Sequence, residues 1–175
     1  GSVQQSVDEV VPVITLLGDD PMTVAHGNTF TDPGTAVSDN VDDGLVTTVT
    51  GTVDTSTVGS YILTYDVSDA AGNSATPVTR TVNVTDQTAP VITLLGTNPM
   101  TVAHGDAFID PGTTVGDNID TGLFTVSSGT VDTNSVGSYT LTYGVSDAAG
   151  NAATLVTRTV NVTDQTAPVI ALLGE

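Results

Sequence analysis

Apolar and polar residues alternate with a period of two in short stretches along the whole chain. The clearest stretch sets Tyr61, Leu63, Tyr65 and Val67 against Ser60, Ile62, Thr64 and Asp66. Such alternation predicts a half-buried β-strand over 61–68, its first set facing a core and its second facing solvent. The first set returns as Tyr139, Leu141, Tyr143 and Val145, while its partners drift to Thr140, Thr142 and Gly144. Shorter stretches predict strands over 13–17, 22–25, 30–38, 45–53 and 78–84, the third interrupted by Asp32-Pro33-Gly34, which suits a type II turn or a bulge. Gly, Asn, Asp and Pro punctuate these runs, with loops at 39–44 and 69–73 and a polar turn containing Gly59. Threonine and valine dominate and helix formers are scarce, so the chain is expected to be all-β.

The pattern is also copied. PVITLLG at Pro12–Gly18 recurs at Pro90–Gly96 and, as PVIALLG, at Pro168–Gly174, each copy 78 residues after the last. About three-quarters of positions match between the first two copies, the mark of an array of small domains. Repeats are expected over 8–85 and 86–163. They are preceded by a tag and leader over 1–7 that opens on Gly1-Ser2, and followed over 164–175 by a linker and the first strand of a third copy. Seven or so short strands in fewer than 80 residues, with a Gly-x-Tyr opening the longest, predict two tandem immunoglobulin-like Greek-key β-sandwiches. In such a fold the hydroxyls of Tyr61 and Tyr139 bond back to the backbone.

The first copy carries PVITLLG, DPG, VSDN, GTVD, GSYILTYDVSDAAGN and RTVNV, and the second repeats them with VGDN and GSYTLTYGVSDAAGN. Together they resemble the bacterial Ig-like domain found in tandem in large surface adhesins and in some secreted toxins and hydrolases. The resemblance covers about residues 12–163 and implies a β-sandwich used as a spacer or adhesion module, without a catalytic residue. VAHG departs from it, because relatives more often carry a glutamate-containing turn there.

Charge narrows the function classes. Twenty acidic residues face two arginines, Arg80 and Arg158, and no lysine, for a net charge of −18. That balance opposes binding to nucleic acid or to anionic membranes and attracts cations. No apolar run approaches the ~20 residues of a membrane span, so no membrane insertion is expected. Cysteine is absent, which removes disulfides and thiol chemistry, and the lack of lysine removes Lys–Asn crosslinks. Packing or a metal must therefore stiffen the array.

The placement of the acids points to the metal. In an Ig-type topology the first strand starts at the same end of the sandwich as the B–C and F–G loops, because strand direction alternates along the chain. This gathers Asp8, Glu9, Asp39, Asp42, Asp69 and Asn73 in the first copy, and Asp86, Asp117, Asp120, Asp147 and Asn151 in the second. Calcium takes six to eight hard oxygen ligands in flexible geometry, and carboxylates with loop carbonyls supply them. The expected cofactor is Ca²⁺ at the linkers between domains. Without it, clustered carboxylates repel and raise one another's pKa. The competing explanation is that Asp and Asn are simply good turn residues, bonding their own backbone. No EF-hand motif is present.

Other candidates carry less. His26 and His104 have no second histidine nearby and no cysteine to complete a zinc site. No nucleophile elbow occurs. The pair Asp42-Asp43 becomes Asp120-Thr121 in the second copy, which favours a solvated turn over glycosidase chemistry. Arg80 and Arg158, each between threonines in a last strand, are expected to pair with a neighbouring carboxylate. Asn83-Val84-Thr85 and Asn161-Val162-Thr163 fit the glycosylation pattern, which arises readily by chance.

The reading that follows is a non-enzymatic, extracellular extender of a bacterial surface adhesin or similar protein, monomeric in solution, whose partners are the neighbouring repeats of the same chain. Two alternatives stand beside it: a binding module for glycan or for the same domain on another cell, and an accessory spacer of a secreted hydrolase or toxin. The tyrosines fall on the core face and leave Phe30, Phe108 and Phe124 as the remaining aromatics, which argues against a glycan site. The apolar run Val169, Ile170, Leu172 and Leu173 is expected either to fray or to pair with a sheet edge of another molecule.

Overall fold

A computed structural model describes residues 7–172. The chain divides into two units between Gln87 and Thr88. Each is a β-sandwich of six strands, and no helix occurs among the described residues. In the first unit β1 (Val13–Leu16) pairs antiparallel with β3 (Thr35–Ser38). The facing sheet has the order β2 (Met22–Ala25), β6 (Val78–Thr85), β5 (Gly59–Asp66), β4 (Thr48–Thr50), with β2 parallel to β6 and the rest antiparallel. The second unit repeats this plan. There β7 (Val91–Leu94) pairs with β9 (Thr113–Gly116), opposite a sheet of β8 (Met100–Ala103), β12 (Val156–Thr163), β11 (Gly137–Gly144) and β10 (Val126–Ser128).

Period-two alternation places the core as expected. Leu63, Tyr65 and Val67 are buried with Ile14 and Ala75, and Leu16, Phe30, Val37, Leu45, Val53 and Val78 pack around them. Tyr61 is half-buried, and its hydroxyl donates to the Thr57 carbonyl at 2.8 Å; Tyr139 does the same to Ser135 at 2.8 Å. These are the tyrosine corners that the Gly-x-Tyr motif predicts.

Several boundaries differ from the sequence reading, each for a local reason. Among the described residues six strands form per unit, not seven or so. The run over 30–38 becomes strand only at Thr35, because the Gly34 N–H turns inward to Asp32 Oδ1 at 3.0 Å and Pro33 has no N–H to give. The run over 45–53 forms only three strand residues. It ends at Gly51, whose φ is +97° and where a Cβ would stand 2.3 Å from the Ile62 carbonyl oxygen. Only glycine fits that close approach. Gly59, read as part of a turn, instead opens β5.

The expected arginine–carboxylate pairing holds, but in the core. Arg80 has the inward parity of Val82 and Val84 on β6 and is fully buried. Its Nε lies 3.3 Å from Asp32 Oδ1 and donates to the Tyr65 hydroxyl at 3.2 Å. Its other nitrogens donate to the carbonyls of Asp19, Leu17 (2.6 Å) and Gly34 (3.1 Å). Tyr65 in turn donates to Asp32 Oδ1 at 2.8 Å. Arg158 repeats the knot with Asp110 at 3.2 Å, Tyr143, and the carbonyls of Thr97, Leu95 and Gly112. The Asp-Pro-Gly turn is therefore a socket: its aspartate and its glycine carbonyl both receive the guanidinium.

Within the third PVIALLG, Val169, Ile170 and Leu172 lie in no strand and are at least nine-tenths exposed. Leu173 lies outside the described residues.

Candidate cation-binding loops

Three segments converge at one end of the first unit: the stretch before β1, the loop after β3 and the turn between β5 and β6. Asp8, Asp39, Asp42 and Asp69 each bring a carboxylate oxygen within 4.8 Å of the others. Two oxygens on opposite sides of a calcium ion at ~2.4 Å are separated by about that distance, so the spacing meets the first requirement for shared coordination. Glu9 is exposed and lies outside this group.

Hydrogen bonds fix one oxygen of several of these carboxylates and leave another available. Asp8 Oδ1 accepts from the Val10 N–H and the Asn40 side chain, both at 3.1 Å. Asp39 Oδ2 accepts from the N–H groups of Val41 (2.9 Å) and Asp42 (3.0 Å), the Asx-turn geometry of an ordinary loop. Asp42 Oδ2 accepts from Ala70 N–H at 3.1 Å, tying the two loops together. The partner oxygens Asp8 Oδ2 and Asp39 Oδ1 are buried and lack a hydrogen-bond partner among the described residues. Turn chemistry explains the first oxygen of each pair but not the second. Buried charged oxygens without a donor are costly, and a hard cation removes that cost.

Asn73 braces the group. Its N–H donates to Asp69 Oδ1 at 2.7 Å, and its side-chain amide donates to Asp69 Oδ2 at 2.6 Å and to the Asp8 carbonyl at 3.1 Å. Burial pushes the Asp69 carboxyl up, but the Asn73 side chain and the backbone N–H groups of Asn73, Gly72 and Ala71 together hold it below the usual range. The same balance applies to Asp147 with Asn151. A depressed folded pKa means that the unfolded chain binds more protons, so this stabilisation is present above the ordinary carboxylate range and is lost as pH falls through the folded value. Thermal unfolding followed as the pH is lowered from ~5 should show Asp69→Asn losing less stability than the parent chain. Parallel losses would contradict the assignment.

The second unit repeats the local network. Asp117 Oδ2 accepts from the N–H groups of Ile119 and Asp120, both at 2.9 Å, and its buried Oδ1 has no hydrogen-bond partner among the described residues. Asp120 accepts from Ala148 N–H at 3.1 Å and has an oxygen within 4.8 Å of one of Asp147. Asn151 donates to both oxygens of Asp147 at 2.7 Å. Asp86, 78 positions beyond Asp8, directly follows β6.

The histidines have a structural task at another turn. His26 Nε2 lies 2.9 Å from the Ser56 carbonyl oxygen and His104 Nε2 lies 2.9 Å from that of Asn134. Each pins the turn that leads into the long β-hairpin.

The family comparison agrees with this architecture. The family described as "Bacterial surface protein, Ig-like domain" matches residues 14–84 and again 92–162. Hyalin from Strongylocentrotus purpuratus is 31% identical over 171 residues, covering 90% of this chain; the chain spans only 14% of hyalin's length. A lipoprotein of Bacteroides thetaiotaomicron of known structure is 17% identical, with a TM-score of 0.38, over 85% of this chain and 98% of that one. With both units matched in full sandwich length, the chain belongs to the bacterial surface-protein Ig-like domain family, in two consecutive copies.

Proposed function

We propose that this surface-type structural module is a calcium-stiffened extender of an extracellular adhesin or similar protein and carries no catalysis of its own. The observation that supports it best is the pair of buried carboxylate oxygens, on Asp8 and Asp39, beside the gathered carboxylates of Asp42 and Asp69. When bound, calcium would supply charge neutralisation and a fixed junction of the segment before β1 with two loops. Magnesium suits the set less well, since it demands shorter, near-octahedral contacts and keeps its waters. By the 78-residue repeat, Asp86, Asp117, Asp120 and Asp147 take the same roles for the second copy. Asp86 sits in the segment that joins the copies, so an ion held there would restrict the linker. Near-identical copies suit a part whose job is length.

Titration calorimetry of the chain with calcium chloride tests this. One ion per repeat is expected, with Asp39→Asn removing one and Asp117→Asn the other. Absence of heat, or heat unchanged by both substitutions, would contradict the assignment.

A further inference from the structure

The two copies differ most pointedly at one sheet edge. In the first unit Thr48 on the edge strand β4 faces Asp66 on β5, and Pro77 precedes β6. Thr48 also bonds the Asp66 carbonyl at 3.2 Å. Asp66 sets a charge on the sheet beside the edge strand, which opposes the docking of an apolar segment there. In the second unit the same positions are Val126, Gly144 and Leu155, and Val46 has become Phe124. Val126 faces Gly144 in register, and a Cβ on Gly144 would stand 2.9 Å from Leu155 Cδ2, so the leucine lies over the glycine. Phe124, Val126 and Leu155 are 85%, 78% and 64% exposed. β10 is the outer strand of its sheet, so its far edge is unpaired by the chain's own strands.

We propose that this edge of the second unit binds an extended segment of a partner protein, one that alternates apolar with basic side chains. Three side chains make too small a patch for a globular partner, which needs about 800 Å² on each side. They suffice for strand addition, where the β10 backbone gives the hydrogen bonds and Phe124 and Val126 take alternate side chains. Charge selects the basic character. The chain carries a net charge of −18, and both of its arginines are buried in the cores, so no cationic side chain offsets that charge at the surface. A second copy of this chain would bring another −18 to the same place.

The test uses a short dye-labelled peptide of alternating valine and lysine, a matched peptide of alternating serine and lysine, and fluorescence anisotropy in calcium buffer. The decisive variant restores the first copy's residues as F124V/V126T/G144D/L155P, a combination the first unit already carries. F124V alone serves as a milder second variant. The row exchange is expected to weaken valine–lysine binding about tenfold although it adds a negative charge, with F124V intermediate and the serine–lysine peptide weak throughout. Non-specific attraction to an acidic protein gives the opposite result, equal or tighter binding after the exchange, and that would overturn the proposal. Equal binding of both peptides would do so too. Dimerisation of the unmodified chain that the exchange abolishes, seen in sedimentation, would assign the edge to a second copy instead.

Discussion

Replacing Arg80 with methionine unfolds the first unit while the second remains folded. The guanidinium is fully buried and serves Asp32, the Tyr65 hydroxyl and the carbonyls of Leu17, Asp19 and Gly34. Methionine fills much of the volume but donates nothing. Asp32 keeps 25% side-chain exposure, so its loss of the ion pair is softened by water. The Leu17 and Asp19 carbonyls lose their guanidinium donor while that of Gly34 keeps the Leu17 N–H, and an acceptor left without a donor costs up to about 1–3 kcal/mol where it is shielded from water. A total of about 3–5 kcal/mol is expected for breaking such a buried pair. Small domains are stable by only about 5–15 kcal/mol, and one of this size sits near the lower end. Calorimetry should show one transition retained and one lost or shifted far down. Arg158→Met should reverse which unit survives. Arg80→Lys should fall between, because an ammonium cannot reach the separate carbonyls as the planar fork does. A near-normal first transition in Arg80→Met would show that the knot is dispensable.

Calcium is expected to raise the unfolding temperature of both units. An ion that binds only the folded state at a hundred times its Kd adds about 2.7 kcal/mol. For domains below 100 residues, 1 kcal/mol moves Tm by about 4–8 °C, so shifts of about 10–20 °C follow. Asp39→Asn should abolish most of the shift in the first unit and leave that of the second intact. In chelator the same substitution should matter little, because an amide oxygen can still accept from Val41 and Asp42 N–H. Magnesium at equal concentration should give a smaller shift. Equal, small effects from both ions would reduce the loops to screened surface charge.

Much of this was readable before any coordinates. Alternation at Tyr61–Val67 identified the core face, and the repeat doubled every inference. The meeting of Asp8, Asp39, Asp42 and Asp69 followed from the Ig-type topology that the strand pattern predicts. The roles within that cluster did not. Asn73 braces Asp69, and which oxygen stays open depends on backbone turns that spacing does not encode. The arginine knot had a signal that was underused: Arg80 shares the parity of Val82 and Val84, and each copy carries one cation and one Asp-Pro-Gly. The exposed edge at Phe124 had one too, since Leu123 takes the inward position and leaves Phe124 outside. The three-residue length of β4 had none, because it depends on the close approach of Gly51 to the Ile62 carbonyl across the hairpin.

The central claim is that calcium converts a flexible string of sandwiches into a stiff one. Small-angle X-ray scattering of the chain at fixed ionic strength, in calcium and in chelator, tests it most directly. The account predicts a larger maximum dimension and less inter-domain flexibility in calcium, with Asp86→Asn scattering like the chelated parent in either buffer. Identical profiles in calcium and chelator would contradict it.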